Sequence, residues 1–145
     1  MVRLNHFFFI VGLLIWTTLN VSAQERYDQN RFYNLCPFYT LNKALGYDAE
    51  GVSVVLKSLD STDKGQQWSV NDLSGSFRLV NVFDNKALRA DVDHRLPAIA
   101  EVNGSDEAQL WTIQKNGKFV QLIPANTPAL MLVCQKNGKL ELADR

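Results

Sequence analysis

Histidine and cysteine are scarce, two of each in 145 residues, and net charge is absent, with 15 Lys and Arg against 15 Asp and Glu. Two Cys and two His cannot complete a four-ligand structural zinc site without carboxylates. There is no His-rich metal motif, phosphate loop or Gly-x-Ser-x-Gly, so no metal, cofactor or catalytic residue is expected. A neutral chain lacks the surplus of Lys and Arg that displaces phosphate counterions, which argues against nucleic acid. Helical periodicity is missing too, since no window of twelve residues repeats every 3.6. What is present is a hydrophobic share of 46%, enough for one domain with a buried core.

The apolar residues are unevenly spread. Phe7–Trp16 is an almost unbroken apolar run, preceded by Arg3 and followed by the small side chains of Val21-Ser22-Ala23. That is the tripartite pattern of a secretory signal. The run spans about 10–12 residues, short of the roughly 20 a membrane-crossing helix needs. Residues 1–23 are therefore expected to be a cleaved leader and 24–145 a secreted or periplasmic domain, with no membrane span. In an oxidising compartment Cys36 and Cys134 have two readings, a disulfide or two buried thiols acting as small hydrophobes.

Laid over itself with a shift of 43, the chain matches at eight positions, including Asn42-Lys43-Ala44-Leu45 on Asn85-Lys86-Ala87-Leu88, Gln66 on Gln109 and Trp68 on Trp111. Chance would give about two at average residue usage. A fainter third copy starts at Phe119, 42 residues after Phe77. Each unit reads as short strands. Phe77–Val82, Gln109–Ile113 and Lys139–Leu142 alternate apolar and polar residues, and Val52–Leu56 is β-branched and apolar. Asn116-Gly117 and Asn137-Gly138, each inside Gln-Lys-Asn-Gly-Lys, predict type I′ hairpin turns.

Gln66-Gln67-Trp68 and Gln109-Leu110-Trp111, each following a Lys-Ala-Leu, resemble the Gln-x-Trp repeat of ricin B-type lectins over residues 32–145. The resemblance implies an all-β chain folded as a β-trefoil, three repeats of about 42 residues forming a six-stranded barrel capped by three hairpins. A third Gln-x-Trp would fall near residue 151. The third repeat is therefore either incomplete or completed by circular permutation. Tyr27 stands eight residues before Leu35, as Trp111 stands eight before Phe119, so Glu25–Gln29 are expected to close the barrel. Trp68 and Trp111 are expected in the core, and Gln66 and Gln109 bonded to turns, as structural residues.

In lectin-competent repeats of this family an Asp follows the Leu of the second strand, the third strand carries an aromatic, and an Asn often precedes the Gln. Here Gly46, Arg89 and Met131 follow Leu45, Leu88 and Leu130, and Gly65 and Ala108 precede the Gln residues. Val52–Leu56 and Leu96–Val102 contain no aromatic. The departures point away from a galactose-type site. The remaining candidates for ligand contact are Asp48 with Tyr47, and Asp91 with Asp93 and His94. The alternative is that Asp48 and Asp91 cap their turns by accepting from backbone amides and that His94 is solvated. In the aromatic cluster Phe32, Tyr33, Phe38 and Tyr39, alternation turns half inward.

These readings converge on an exported, non-catalytic, carbohydrate-binding trefoil with a non-classical or weakened sugar site. A trefoil that binds or inhibits a protein, such as a protease, is the alternative.

Overall fold

The computed structural model describes the backbone of Phe8–Val11 and residues 27–48, 50 and 53–145. The strands are β1 (Phe8–Val11), β2 (Asn34–Pro37), β3 (Lys43–Tyr47), β4 (Val54–Ser58), β5 (Trp68–Asp72), β6 (Phe77–Asn81), β7 (Ala87–Asp91), β8 (Leu96–Ala100), β9 (Trp111–Asn116), β10 (Phe119–Pro124), β11 (Leu130–Cys134) and β12 (Leu140–Asp144). All pair antiparallel.

Six strands form a ring. β2 pairs with β1, β1 with β10, β10 with β9, β9 with β6 and β6 with β5. Tyr33 and Trp68 then exchange two backbone bonds, N–H to C=O, at 2.8 and 2.9 Å, bringing β5 back beside β2. Among the described residues, closure leaves no barrel strand without a neighbour on either side, and so no free edge for another chain to pair with. The remaining strands form the hairpins β3–β4, β7–β8 and β11–β12, whose outer strands β4, β8 and β12 meet one another. A six-stranded barrel under three hairpins is a β-trefoil.

Period-two alternation builds the core. In β6 the positions Phe77, Leu79 and Asn81 are buried and Arg78 and Val80 are half-buried. Trp68, Trp111, Leu35, Leu79, Leu88, Leu122, Leu132 and Leu45 have no solvent exposure. Burying each of these large side chains contributes roughly 2–3 kcal/mol.

The barrel is closed by a different segment from the one the spacing suggests. Residues 25–26 lie outside the described residues, and Tyr27–Gln29 form no strand. Asp28 instead starts a turn, its carbonyl accepting from Arg31 N at 3.0 Å and its Oδ1 from Asn30 N at 2.9 Å. Tyr27 packs edge-on to Tyr33 and Phe77, with ring centroids 5.7 and 5.3 Å apart. The closing strand is β1, drawn from the apolar run read as a leader. Phe-Phe-Ile-Val is aromatic and β-branched, the composition that suits a barrel strand, whereas 27–29 carry an Asp that favours a turn. The predicted cleavage point after Ala23 lies outside the described residues.

Other local expectations also shift. β4 starts at Val54, and Val52 lies outside the described residues. Gln109 ends a 3-10 turn, Glu107–Gln109, and the strand starts at Trp111. Neither Asn-Gly turn is type I′, because Gly117 (φ +63°) and Gly138 (φ +87°) are left-handed while Asn116 and Asn137 are not. Gly117 occupies the first place of a two-residue loop, which fits type II′. Gly138 follows the turn closed by its own N–H to Gln135 O at 2.8 Å, as in a type I turn with a left-handed fourth residue. Two successive left-handed residues occur at Ser74-Gly75 (φ +61° and +107°), between β5 and β6. Cys36 and Cys134 are buried free thiols, so the second of their two readings describes the structure.

Candidate functional site

The Gln-x-Trp segments are built identically. Asp63 and Asp106 each cap a 3-10 turn, Oδ1 accepting from Gly65 N at 2.8 Å and from Ala108 N at 3.0 Å. Gln66 Oε1 accepts from Asp60 N at 3.0 Å and its Nε2 donates to Ser58 O at 2.9 Å. Gln109 does the same with Asn103 N at 3.0 Å and Glu101 O at 2.8 Å. The indoles of Trp68 and Trp111 donate to Leu45 O at 3.1 Å and Leu88 O at 2.9 Å. Both Gln side chains are buried, so their amides need these partners. The four residues hold the fold together, and no face of either Trp is open to a ligand.

The places that follow the second-strand Leu are also taken. A Cβ on Gly46 would lie 3.1 Å from both Gln66 Cγ and Gly65 O, so no larger side chain fits without movement. Arg89 turns to Asp106, Nε to Oδ2 at 2.9 Å, and Met131 is buried. In the first repeat Lys57 makes the matching contact with Asp63 Oδ2 at 2.7 Å. The Lys57 ammonium is the main influence holding the Asp63 carboxyl below the usual carboxylate range. For Asp106, burial alone would raise the carboxyl, and the Arg89 guanidinium and Ala108 amide outweigh it, leaving a net lowering.

A cleft of about 480 Å³ opens where the three hairpins meet. Asp91 and Lys139 supply its charges, Ser53 a hydroxyl, and Leu56, Leu96, Pro97 and Leu140 its apolar wall. Each hairpin contributes through its tip. The turn after β7 places Asp91, whose Oδ1 accepts from His94 N at 3.2 Å and whose Oδ2 lies 2.8 Å from His94 Nδ1. The His94 ring, with its backbone amide, lowers the Asp91 carboxyl below its ordinary range. The same turn forces Arg95 to φ +55°, where Leu142 N donates to its carbonyl at 2.8 Å and Asp144 Oδ1 accepts from its Nη1 at 2.8 Å. Those two bonds tie β12 to the tip. On the third hairpin, Asn137 Oδ1 accepts from Lys139 N at 2.9 Å, setting the start of β12.

The candidate residues therefore separate. Asp91 lines the cleft and caps its turn as well. His94 is largely exposed beside it, and Asp93 is exposed on the same turn. Asp48 is half-buried on the neighbouring tip, its N–H donating to Ser53 O at 3.0 Å. Tyr47 is buried, edge-on to Trp68 at 6.2 Å, with its hydroxyl donating to Asp84 Oδ1 at 2.8 Å. Burial and the Asp84 carboxylate both raise its phenol far above the ordinary value. Tyr47 thus belongs to the core and not to an exposed tip. Of the aromatic cluster, Tyr33 is in the core, Phe38 packs edge-on to Phe119 at 4.3 Å, and Phe32 is 54% exposed. The Tyr39 hydroxyl donates to Gln135 O at 2.5 Å.

Lys139, Ser53 and the apolar wall were not singled out by their sequence. The signal that could have found Lys139 is its place just after Asn137-Gly138, which sets it at a hairpin tip. Phe83, 67% exposed beside Asp84, is a further surface aromatic. Among the described residues no group of three or more His, Cys, Asp or Glu is placed to hold a metal ion, and no helix is long and apolar enough to cross a membrane.

The profile of the ricin-type beta-trefoil lectin domain-like family matches residues 49–142. The chain belongs to this family. No curated protein matches it at a significant level. Solved structures share its fold. An endo-β-galactosidase from Clostridium perfringens that releases GlcNAcα1-4Gal superposes with TM-score 0.64 at 14% identity, covering 72% of this chain and 27% of that one. ThreeFoil, a designed three-fold symmetric protein, gives 0.61 at 20% identity, covering 71% and 82%. A Polyporus squamosus lectin bound to the human-type influenza-binding epitope Neu5Aca2-6Galb1-4GlcNAc gives 0.64 at 12%, covering 79% and 43%. The chain thus spans about a quarter of the Clostridium protein and under half of the Polyporus lectin.

Proposed function

We propose that this family member is an exported, non-catalytic carbohydrate-binding module whose site is the cleft between the three hairpin tips. The observation that carries the reading is the pairing, in one concave site, of an acceptor and a donor with an apolar wall. Asp91 offers carboxylate lone pairs to sugar hydroxyls, Lys139 donates, and Leu56, Leu96 and Pro97 face the C–H side of a pyranose. With no aromatic among the described residues of the wall, stacking is weak and affinity is expected in the high micromolar range, roughly 4–5.5 kcal/mol of binding free energy. Family membership and the trefoil lectins of like fold support a carbohydrate ligand. The occupied second-strand positions favour a site away from the family's usual one.

The non-catalytic reading rests on the same cleft. Hydrolysis by the two-carboxylate route needs two carboxyl groups flanking one bond, and Asp91 is the one carboxylate among the described residues lining it. Export is inferred from the leader pattern of residues 1–23. The protein-binding alternative has one observation in its favour, the exposed rings of Phe32 and Phe83.

A glycan array with the full chain tests the proposal. Binding of at least one glycan is expected, with Asp91→Asn and Lys139→Ala each weakening it about tenfold, the value of one lost charge-assisted hydrogen bond. An array on which nothing binds at high micromolar protein, or on which both variants bind as the parent does, overturns it.

A further inference from the structure

The register of β1 assigns it a definite place. In β5, Trp68 lies opposite Asn81 and Val70 opposite Leu79. In β9, Trp111 lies opposite Pro124 and Ile113 opposite Leu122. In β1, Phe8 lies opposite Pro37 and Ile10 opposite Leu35. On the other edge Trp68 pairs with Tyr33, Trp111 with Phe77 and Phe8 with Val120. Phe8 therefore holds the backbone position of a third Gln-x-Trp tryptophan, and Ile10 that of Val70 and Ile113. The four residues Phe8–Val11 lie in the first half of the apolar run with leader character. A leader removed after Ala23 and a barrel strand cannot both be permanent.

We propose that the place between β2 and β10 is a strand-acceptor slot. Phe8–Val11 fill it in the intact chain, and after a cut behind Ala23 it takes an extended apolar segment of a second polypeptide. Emptying it leaves the N–H and C=O groups of β2 and β10 along that side unpaired, a template that strongly favours antiparallel addition. The register defines the occupant as aromatic-x-aliphatic-x. Its first and third positions match Trp68 and Val70, both fully buried, and its second and fourth match Ser69 and Asn71, both half-buried. The slot opposes Leu35, itself fully buried, so a charged residue at the third position would be desolvated without a partner.

The test keeps folding and cutting apart. A specific protease site is placed between Ala23 and Gln24, the full chain is folded, and only then cut. The N-terminal piece is expected to co-elute with the body on gel filtration. A synthetic peptide of residues 5–14 carrying Phe8→Trp should displace it, and the same peptide with Phe8→Asp and Ile10→Asp should not. The amides of β2 and β10 that face the slot should exchange at least 100-fold faster once it is emptied, while those of β10 bonded to β9 and those of the β7–β8 hairpin keep their rates. In the uncut chain Ile10→Asp should speed the same amides and spare the hairpin. The proposal fails if the piece leaves unaided while β2 and β10 stay protected, or if the Asp-bearing peptide binds as well as the apolar one. Glycan binding by the uncut chain is read separately, so failure of the slot leaves the cleft standing.

Discussion

Replacing Gln109 with Met keeps the side chain's length and apolar stem but removes both hydrogen-bonding atoms. The backbone N–H of Asn103 and the carbonyl of Glu101 then lose their partners, at 3.0 and 2.8 Å. Those two residues are exposed along their chains, so water reaches part of the gap and the lower end of the penalty for a buried orphan applies. About 1 kcal/mol per group gives about 2 kcal/mol in all. For a domain of this size each kcal/mol shifts the melting temperature by roughly 4 °C, so a drop of about 8 °C is expected, with an equivalent loss in urea denaturation. Gln66→Met removes the matching pair, Asp60 N and Ser58 O, and should cost the same within about 0.5 kcal/mol. Gln109→Glu should cost more at neutral pH, because a carboxylate would face Asp106 Oδ2, 3.4 Å from the present Nε2, and should recover as acid protonates it. The reasoning is refuted if Gln109→Met melts within about 2 °C of the parent. It is refuted too if the two Met variants differ by more than about 1.5 kcal/mol, since equal hydrogen bonds would then not mean equal cost.

Trp111→Phe should destabilise by about 3 kcal/mol in urea titration, from lost volume and an orphaned Leu88 carbonyl; a loss below 1 kcal/mol would mean the indole bond is replaced. Acid stability should follow Asp63 and Asp106. Their folded carboxyls titrate below the usual value, so their contribution is complete above about pH 4 and is lost as pH falls through the folded values. Urea midpoints between pH 2 and 6 should show that fall, flattened in Asp106→Asn. Burial pushes both thiols above the ordinary cysteine value, so Cys36 and Cys134 should react with a disulfide reagent at pH 8 only after denaturation. Immediate reaction of the native protein would contradict their burial.

Two kinds of information separate in this chain. A 43-residue period and apolar–polar alternation in several segments were enough to read an all-β chain of repeats. The Gln two residues before each Trp carried the family resemblance that implies a trefoil with Trp68 and Trp111 in its core. These features repeat because hydrogen-bond geometry and packing repeat, and each copy corroborates the other. The closing strand was not legible, because Phe8–Val11 is apolar on every position and its run carries the marks of a leader more strongly than those of a strand. Tyr47 misled for a related reason. Its neighbour Asp48 drew attention to an exposed tip, while alternation in β3 turns Tyr47 inward to meet Asp84, 37 residues away. The cleft was invisible because its lining comes from three hairpins distant in sequence, and only Asp91 among them stood out alone.

The ion pairs bear on where recognition can reside. Lys57–Asp63 and Arg89–Asp106 occupy matching places in two repeats, each tying a hairpin strand to the carboxylate that caps the Gln-x-Trp turn. They use different cations from different strands, β4 and β7, to reach the same acceptor. Side chains partly exposed in this way add little stability by themselves, yet they commit the carboxylate and fill the space beside the second-strand Leu. A ligand's hydroxyl arriving there would have to displace an ion-paired hydrogen bond of 2.7 or 2.9 Å, charged on both sides, and would gain back one charged only on the carboxylate side. Binding is therefore disfavoured where the repeats are alike. The proposed cleft lies where they differ, at the tips, with Asp91 and His94 on one hairpin, Lys139 on another and Ser53 on the third. Lys139 has a partner there as well, but at the longer distance of 3.4 Å to Glu141 Oε2. Reversing the commitment tests the argument. Arg89→Ala should free the Asp106 carboxylate, and if the pair blocks a site there, that variant should bind glycans the parent does not, with Asp91→Asn leaving the new binding untouched. If Arg89→Ala gains no binding on the array, the ion pair serves the turn alone and does not guard a vacant site.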